Sequence, residues 1–146
     1  MSDNPKSLTL VGIQFLCLIF IFLTEPVVAS GVFLIFELTG FVLGLWSTFV
    51  MQQKSRLQIT PDVAKKSNLV VNGPYQYIRH PMYASILLVS VSLVLNYFNT
   101  VRLIILIILF INLLFKIDYE ENLLKKSFAK YPSYKNTTKK LIPFLY

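Results

Sequence analysis

Apolar residues occur in four long runs along the chain, separated by polar segments. The runs cover about residues 8–29, 31–51, 82–98 and 101–117. Each run is near the roughly 20 residues that a helix needs to cross the hydrocarbon core of a bilayer. The pattern therefore predicts two helical hairpins that span a membrane, joined by a polar connector and followed by a polar tail.

Composition strengthens this interpretation, because 55% of the residues are hydrophobic and only 14% are charged. Soluble globular domains carry about 25% charged residues. In the tail, Glu121 falls in line with Ile117, Leu124 and Phe128, which is typical of an amphipathic helix. We expect an all-α membrane bundle of four transmembrane helices, a connector and an amphipathic C-terminal helix, forming one domain over residues 1–146.

A secretory signal peptide is the alternative for the first run, since Glu25 and Pro26 interrupt it and Ala29 is a small residue suited to cleavage. Against it, Lys6 is balanced by Asp3, and the apolar part is long for a signal peptide. The first run is therefore interpreted as a membrane span.

Basic residues predict the orientation of these spans. Of the 14 lysines and arginines, all but Arg102 fall in the N-terminal tail, the connector or the C-terminal tail. Because cytoplasmic loops carry the excess of basic residues, both termini are expected in the cytoplasm.

Charge and rare residues also limit the possible partners. Anionic lipids explain the net charge of +7, so no basic patch is left to indicate nucleic acid. With one cysteine, Cys17, and one histidine, His80, neither a disulfide framework nor a structural zinc site is expected.

The second run contains small residues on one helical face. Glu37, Gly40, Gly44 and Thr48 recur at intervals of three and four residues, which allows close contact with a neighbouring helix. An ionised carboxylate facing lipid is costly, so Glu37 should point at that helix. Its alternatives are a neutral or interface-seeking side chain and a contact to a polar substrate group.

The run Asn72–Tyr83 is the first candidate site. Pro81 suits the first turn of a helix, which places His80 near the N-cap, and Arg79 is able to hold an anion. Rings that could stack on a heteroaromatic ligand are also present. These belong to Tyr75, Tyr77 and Tyr83. The same residue types are common interfacial anchors, so their chemistry alone leaves both interpretations open.

The segment 116–124 is the second polar cluster. Lys116 and Glu120 stand four residues apart, as an intrahelical ion pair would require. The turn at residues 96–100 makes the third and fourth spans antiparallel neighbours, so the two polar clusters should meet.

Together these residues carry a family resemblance. The sequence Gly73–Tyr83, followed by Glu120 and Glu121 and then by Phe128, Tyr131, Tyr134 and Pro143, resembles the isoprenylcysteine carboxyl methyltransferase family and, more widely, phospholipid methyltransferases. The resemblance covers about residues 57–144. It implies a membrane methyltransferase that uses S-adenosylmethionine on a lipid-like or small-molecule acceptor.

The resemblance also implies site residues, in the segments 67–85 and 116–124. The cofactor contacts would be Ser67, Asn68, Leu69, Val70, Tyr75, His80, Pro81, Met82, Tyr83 and Glu120. Lys116 would face the acceptor, and Glu121, Glu37 or Tyr83 would accept a proton from an amine acceptor.

Two positions depart from the family pattern. Lys116 stands where the family has arginine, so the bidentate grip on a carboxylate is lost. Ser85 stands where glycine is common and adds bulk beside the expected cofactor.

Two other classes of function are weighed against this one. The first is a non-catalytic membrane protein or assembly subunit of the same fold. The second is a small transporter or channel, for which Glu37 as the one charge within the spans is poor material. The sequence leaves the acceptor and the oligomeric state undetermined.

Overall fold

The computed structural model describes residues 5–54 and 68–142. Five helices follow in order: α1 Pro5–Leu23, α2 Gly31–Lys54, α3 Pro81–Asn96, α4 Thr100–Ser127 and α5 Tyr131–Thr137, with a 3₁₀ turn at Gly73–Gln76 before α3. The first, second and fourth helices are long and apolar enough to cross a membrane, and α3 is a shorter apolar helix. The predicted all-helical membrane bundle is confirmed.

The helix ends differ in detail from the apolar runs. The helix α1 ends at Leu23, and residues 24–30 form turns, because the residue before a proline disfavours helical geometry and Pro26 follows closely. The helix α4 continues without a break to Ser127. The polar cluster 116–124 therefore lies on the last turns of α4, and α5 is a separate short helix.

Close packing of α2 on α3 follows from the small residues on their facing sides. The Ser85 hydroxyl donates a hydrogen bond to the Gly40 carbonyl at 2.7 Å. A Cβ atom at Gly40 would lie 2.7 Å from Val89 Cγ2, and one at Gly44 would lie 2.5 Å from Ser85 Oγ. The predicted glycine face thus packs against α3, and Ser85 serves this contact.

Glu37 is buried and belongs to the connection between α1 and α2. Its Oε2 accepts a hydrogen bond from the Ala29 amide at 2.7 Å. Because a buried carboxylate needs a donor, this bond offsets part of its desolvation. Glu37 is thereby assigned to the turn, and neither an interface-seeking side chain nor a substrate contact is needed to explain it.

Arg102 joins three helices at the end of the bundle away from the polar clusters. Its guanidinium donates to the carbonyls of Ile21 at 2.9 Å, Tyr97 at 2.8 Å and Leu93 at 3.3 Å. These carbonyls lie in or just after the last turns of α1 and α3, where a positive charge is favourable. Asn112 adds a bond from α4 to the Leu10 carbonyl of α1 at 3.0 Å.

Candidate functional site

The segment that leads into α3 pairs with the tail that follows α5. The Arg79 amide donates to the Lys139 carbonyl at 2.7 Å, and the His80 amide donates to the Lys140 carbonyl at 3.1 Å. These bonds satisfy backbone donors that a buried loop would otherwise leave unpaired. The tail is therefore part of the structure that holds Arg79 and His80.

The start of α3 has the geometry that its proline predicts. His80 is the N-cap, and Pro81 occupies the first turn, where its missing amide costs no hydrogen bond. The His80 ring stacks on the Tyr83 ring with 5.7 Å between centroids and 11° between planes. The histidine is thereby fixed between the helix start and the tyrosine.

A buried ion cluster connects α3, α4 and α5. Arg79 Nε lies 2.8 Å from Glu121 Oε1, and Lys135 Nζ lies 3.1 Å from Glu121 Oε2. The Arg79 guanidinium also donates to the carbonyls of Lys135 and Thr138. Arg79 was expected to hold an external anion, but the structure gives it Glu121 as an internal counter-charge.

His80 lies between the two glutamates of α4. Its Nδ1 is 3.4 Å from Glu120 Oε2, and its Nε2 is 3.4 Å from Glu121 Oε1. Burial lowers the pKa of His80, but the two carboxylates outweigh burial and raise its pKa above the ordinary value. The polar clusters before α3 and at the end of α4 therefore meet, as the antiparallel arrangement predicted.

Two buried atoms of this cluster remain open for a further hydrogen bond. Neither His80 Nε2 nor Glu120 Oε2 has a hydrogen-bond partner among the residues that the structure describes. The Glu120 side chain keeps 30% of its surface exposed, whereas that of Glu121 keeps 4%. Glu120 is thus the more accessible carboxylate, and Glu121 is held inside the protein.

Lys116 is buried on the other side of Tyr83. Its ammonium donates to Gln14 Oε1 at 2.6 Å and lies 5.2 Å from the centre of the Tyr83 ring. Such a position over an aromatic face favours a cation. The ion pairs of residues 5–54 and 68–142 do not include Lys116, so the expected pair with Glu120 is replaced by the bond to Gln14.

Buried tyrosines complete the floor of the site. The Tyr134 hydroxyl donates to the Tyr75 carbonyl at 2.7 Å. Burial raises the pKa of both phenols, so each stays protonated and neutral near pH 7. Tyr75 and Tyr134 are therefore able to act as hydrogen-bond donors there and are not bases.

The remaining predicted site residues lie before and after the 3₁₀ turn. Ser67 is outside the described residues. Asn68 is exposed and Leu69 half-buried, while Val70 is buried. In the first turn of α3, Pro81 is buried and Met82 is half-buried. The residues that meet in polar or ring contacts are Lys116, Glu120, Glu121, His80 and Tyr83.

Sequence reasoning missed Gln14 and the tail residues Lys135 and Thr138. An amide in an otherwise apolar span is a usable signal, because polar side chains inside a membrane usually face a partner. The tail gave no such signal, since lysine and threonine are common on any polar surface.

A scan against protein-family models matches residues 26–131 to the model described as phospholipid methyltransferase. No curated protein and no solved structure matches the chain. The matched region includes α2, α3, α4 and both polar clusters that meet at His80, whereas α1 lies outside it. Because the match covers well over half of the sequence, the chain belongs to the phospholipid methyltransferase family.

Proposed function

We propose that the protein is an integral membrane methyltransferase that uses S-adenosylmethionine and resembles the isoprenylcysteine carboxyl methyltransferases. It would transfer a methyl group to a lipid-like or small-molecule acceptor. The observation that supports this most is the meeting of Glu120 and Glu121 with His80 and Tyr83 beside apolar helices. Families of one fold host several activities, so the site and not the fold carries the proposal.

The side chains present fit the chemistry of this cofactor. S-adenosylmethionine has an ammonium group, ribose hydroxyls and an adenine ring. Glu120, with one oxygen that lacks a hydrogen-bond partner among the described residues, suits the ammonium or the ribose. Tyr75 and Tyr83 suit the ring. The proposed contacts are Ser67, Asn68, Leu69, Val70, Tyr75, His80, Pro81, Met82, Tyr83 and Glu120.

The protein's tasks in such a reaction are alignment and exclusion of water. When bound, S-adenosylmethionine supplies a methyl group on a positively charged sulfur, from which a nucleophile displaces it. Buried rings at Tyr75 and Tyr83 keep water from the site, and fixed orientation converts the encounter into a near-unimolecular step. A carboxylate or thiolate acceptor is already a nucleophile near pH 7 and needs no base.

An amine acceptor would have to lose a proton during the reaction. Glu121 is a candidate to receive it, but its two oxygens are held by Arg79 and Lys135. We therefore propose that Glu121 chiefly positions Arg79 and His80. Lys116 is proposed to face the acceptor's polar group, while the apolar part of the acceptor lies among the helices.

Ligand binding and methyl transfer test the proposed function directly. Calorimetry of the detergent-purified protein with S-adenosylhomocysteine should show saturable binding. Mass spectrometry should then find deuterated methyl groups in a lipid extract incubated with the protein and S-adenosylmethionine carrying a deuterated methyl. No binding at high micromolar ligand would favour the non-catalytic alternative, and the labelled product would identify the acceptor, whether prenylcysteine, phospholipid, isoprenoid or thiol.

Replacing Glu120 tests the cofactor site. Glu120→Gln removes the accessible negative charge, so we expect the affinity for S-adenosylhomocysteine to fall about tenfold or more, as for a lost charge-assisted hydrogen bond of about 1.5–3 kcal/mol. Asp118→Asn is the matched control on the same helix, because Asp118 pairs only at the surface with Lys140 at 2.9 Å. Equal calorimetric affinities for the two variants would contradict the role of Glu120.

Replacing Lys116 separates the acceptor from the cofactor. Lys116→Ala should abolish methyl transfer while binding of S-adenosylhomocysteine survives, because the ammonium is proposed to face only the acceptor. A variant that loses cofactor affinity in the same calorimetric experiment would assign Lys116 to the cofactor instead.

We also propose that both termini are cytoplasmic. The basic residues on the two tails and the connector support this orientation, and Arg102 is neutralised by three carbonyls at the opposite end. The cofactor, which is a cytosolic metabolite in this proposal, would then reach His80 and Glu120 from the cytoplasm.

A further inference from the structure

Gln14 comes from the part of the chain that the family match leaves out. The match begins at residue 26, after α1 has ended at Leu23. Yet the Gln14 amide oxygen makes the 2.6 Å hydrogen bond to the Lys116 ammonium, and both side chains are buried. A helix outside the matched region thus contacts the residue proposed to face the acceptor.

The bond between Gln14 and Lys116 decides where the ammonium lies. A lysine side chain has four rotatable bonds, so its charged end can take several positions. Burying that charge is costly unless it finds an acceptor, and Gln14 Oε1 is the acceptor recorded for it in the described part of the chain. Tyr83, 5.2 Å from the ammonium, adds an aromatic face on the side toward His80.

Two further bonds fix α1 on α4, so the position of Gln14 is well defined. Asn112 donates to the Leu10 carbonyl at 3.0 Å, and Arg102 donates to the Ile21 carbonyl at 2.9 Å. These contacts lie before and after Gln14 along α1. Sliding or rotating α1 would break them, so the amide of Gln14 is held toward Lys116.

We propose that Gln14 is a positioning residue for methyl transfer, which holds the Lys116 ammonium beside Tyr83 and so makes α1 part of the site that selects the acceptor. This inference rests on the proposed function. It predicts that loss of the Gln14 oxygen weakens use of the acceptor and leaves the cofactor contacts at His80 and Glu120 intact.

Gln14→Met is the informative variant, because methionine has a similar length, suits an apolar interface and cannot accept a strong hydrogen bond. Cys17→Ala is the matched control, since Cys17 is buried one turn further along α1 and contributes packing alone. Both variants are assayed with deuterated S-adenosylmethionine over a series of concentrations of total lipid extract from the expression host. Binding of S-adenosylhomocysteine is measured in parallel.

We expect Gln14→Met to raise the half-saturating extract concentration about tenfold, as for loss of one hydrogen bond to a charged group. Affinity for S-adenosylhomocysteine should stay within about twofold of the unaltered protein, and Cys17→Ala should stay within about twofold in both measurements. A Gln14→Met protein that saturates like Cys17→Ala, or one that loses cofactor affinity, overturns the inference.

A thermal double-mutant cycle gives a readout that does not depend on activity. Gln14→Met should lower the melting temperature when Lys116 is present and have little effect in the Lys116→Met background, because the bond is then already absent. Equal shifts in the two backgrounds overturn the inference. If the unaltered protein transfers no label and binds no S-adenosylhomocysteine, the proposed function fails and the acceptor role with it, while the cycle still decides whether Gln14 holds Lys116.

Discussion

At the scale of single residues, His80 experiences two opposing effects. It is 5% exposed, and burial alone disfavours the imidazolium. Glu120 and Glu121 lie 3.4 Å from its two ring nitrogens and favour the imidazolium. The carboxylates prevail, which raises the pKa of His80 and links its charge to the same glutamates that are proposed to serve the cofactor and the ion cluster.

The raised pKa of His80 predicts how stability depends on pH. A histidine whose folded pKa lies above its unfolded value of about 6.5 stabilises the protein fully below that value. This contribution is lost as the pH rises through the folded pKa. Thermal unfolding between about pH 5.5 and 9 should therefore show the unaltered protein gaining most over His80→Gln at the acidic end.

Tyr83→Phe is a suitable control for that measurement, because it keeps the ring that stacks on His80. Its difference from the unaltered protein should change little between pH 5.5 and 9. An advantage over His80→Gln that grows toward pH 9 would contradict a raised pKa.

At the scale of helices, local chemistry predicted the starts and the facing sides, whereas long-range pairing could not be predicted. Pro81 predicted the start of α3, and the glycine face of α2 predicted its contact. The bond of Lys116 to Gln14 depends on how α1 is rotated on α4, and two residues 102 positions apart give no periodic signal. Arg79 likewise gave no indication that Glu121, on another helix, was its partner.

Gly40→Ala tests the contact between α2 and α3. The added methyl group would lie 2.7 Å from Val89 Cγ2 and 3.2 Å from the Val89 backbone nitrogen, so the helices must move apart. We expect a loss of about 1–3 kcal/mol in the free energy of unfolding, seen as a lower melting temperature in detergent.

Gly12→Ala is the matched control for that variant. It also replaces a glycine by alanine inside a helix, but nothing lies within 4 Å of the added Cβ. Alanine has the higher helix propensity, so this variant should be neutral or slightly stabilising. Similar melting temperatures for the two variants would mean that α2 and α3 are not in close contact.

At the scale of the whole molecule, the bundle has two polar ends of different character. One end holds His80, the glutamates and the basic tail, while the other holds Arg102 with its charge directed into helix carbonyls. This asymmetry agrees with the proposed cytoplasmic position of both termini.

Cysteine labelling in whole cells tests that orientation. In a Cys17→Ala background, Phe98→Cys, at an exposed site between α3 and α4, should react with a membrane-impermeant maleimide. Asn136→Cys, at an exposed site in α5, should react only after the cells are permeabilised. Labelling of Asn136→Cys alone in intact cells would reverse the topology.

The pairing of the tail with the segment before α3 also imposes an order of events on biogenesis. Residues 78 and 139 form a parallel bridge, although α3 and α4 are synthesised between them. While the nascent chain is still emerging from the ribosome, Arg79 and His80 lack the carbonyls of Lys139 and Lys140. The cofactor site is therefore expected to mature after the apolar helices have inserted, so that a stalled chain would be anchored but unable to bind its ligand.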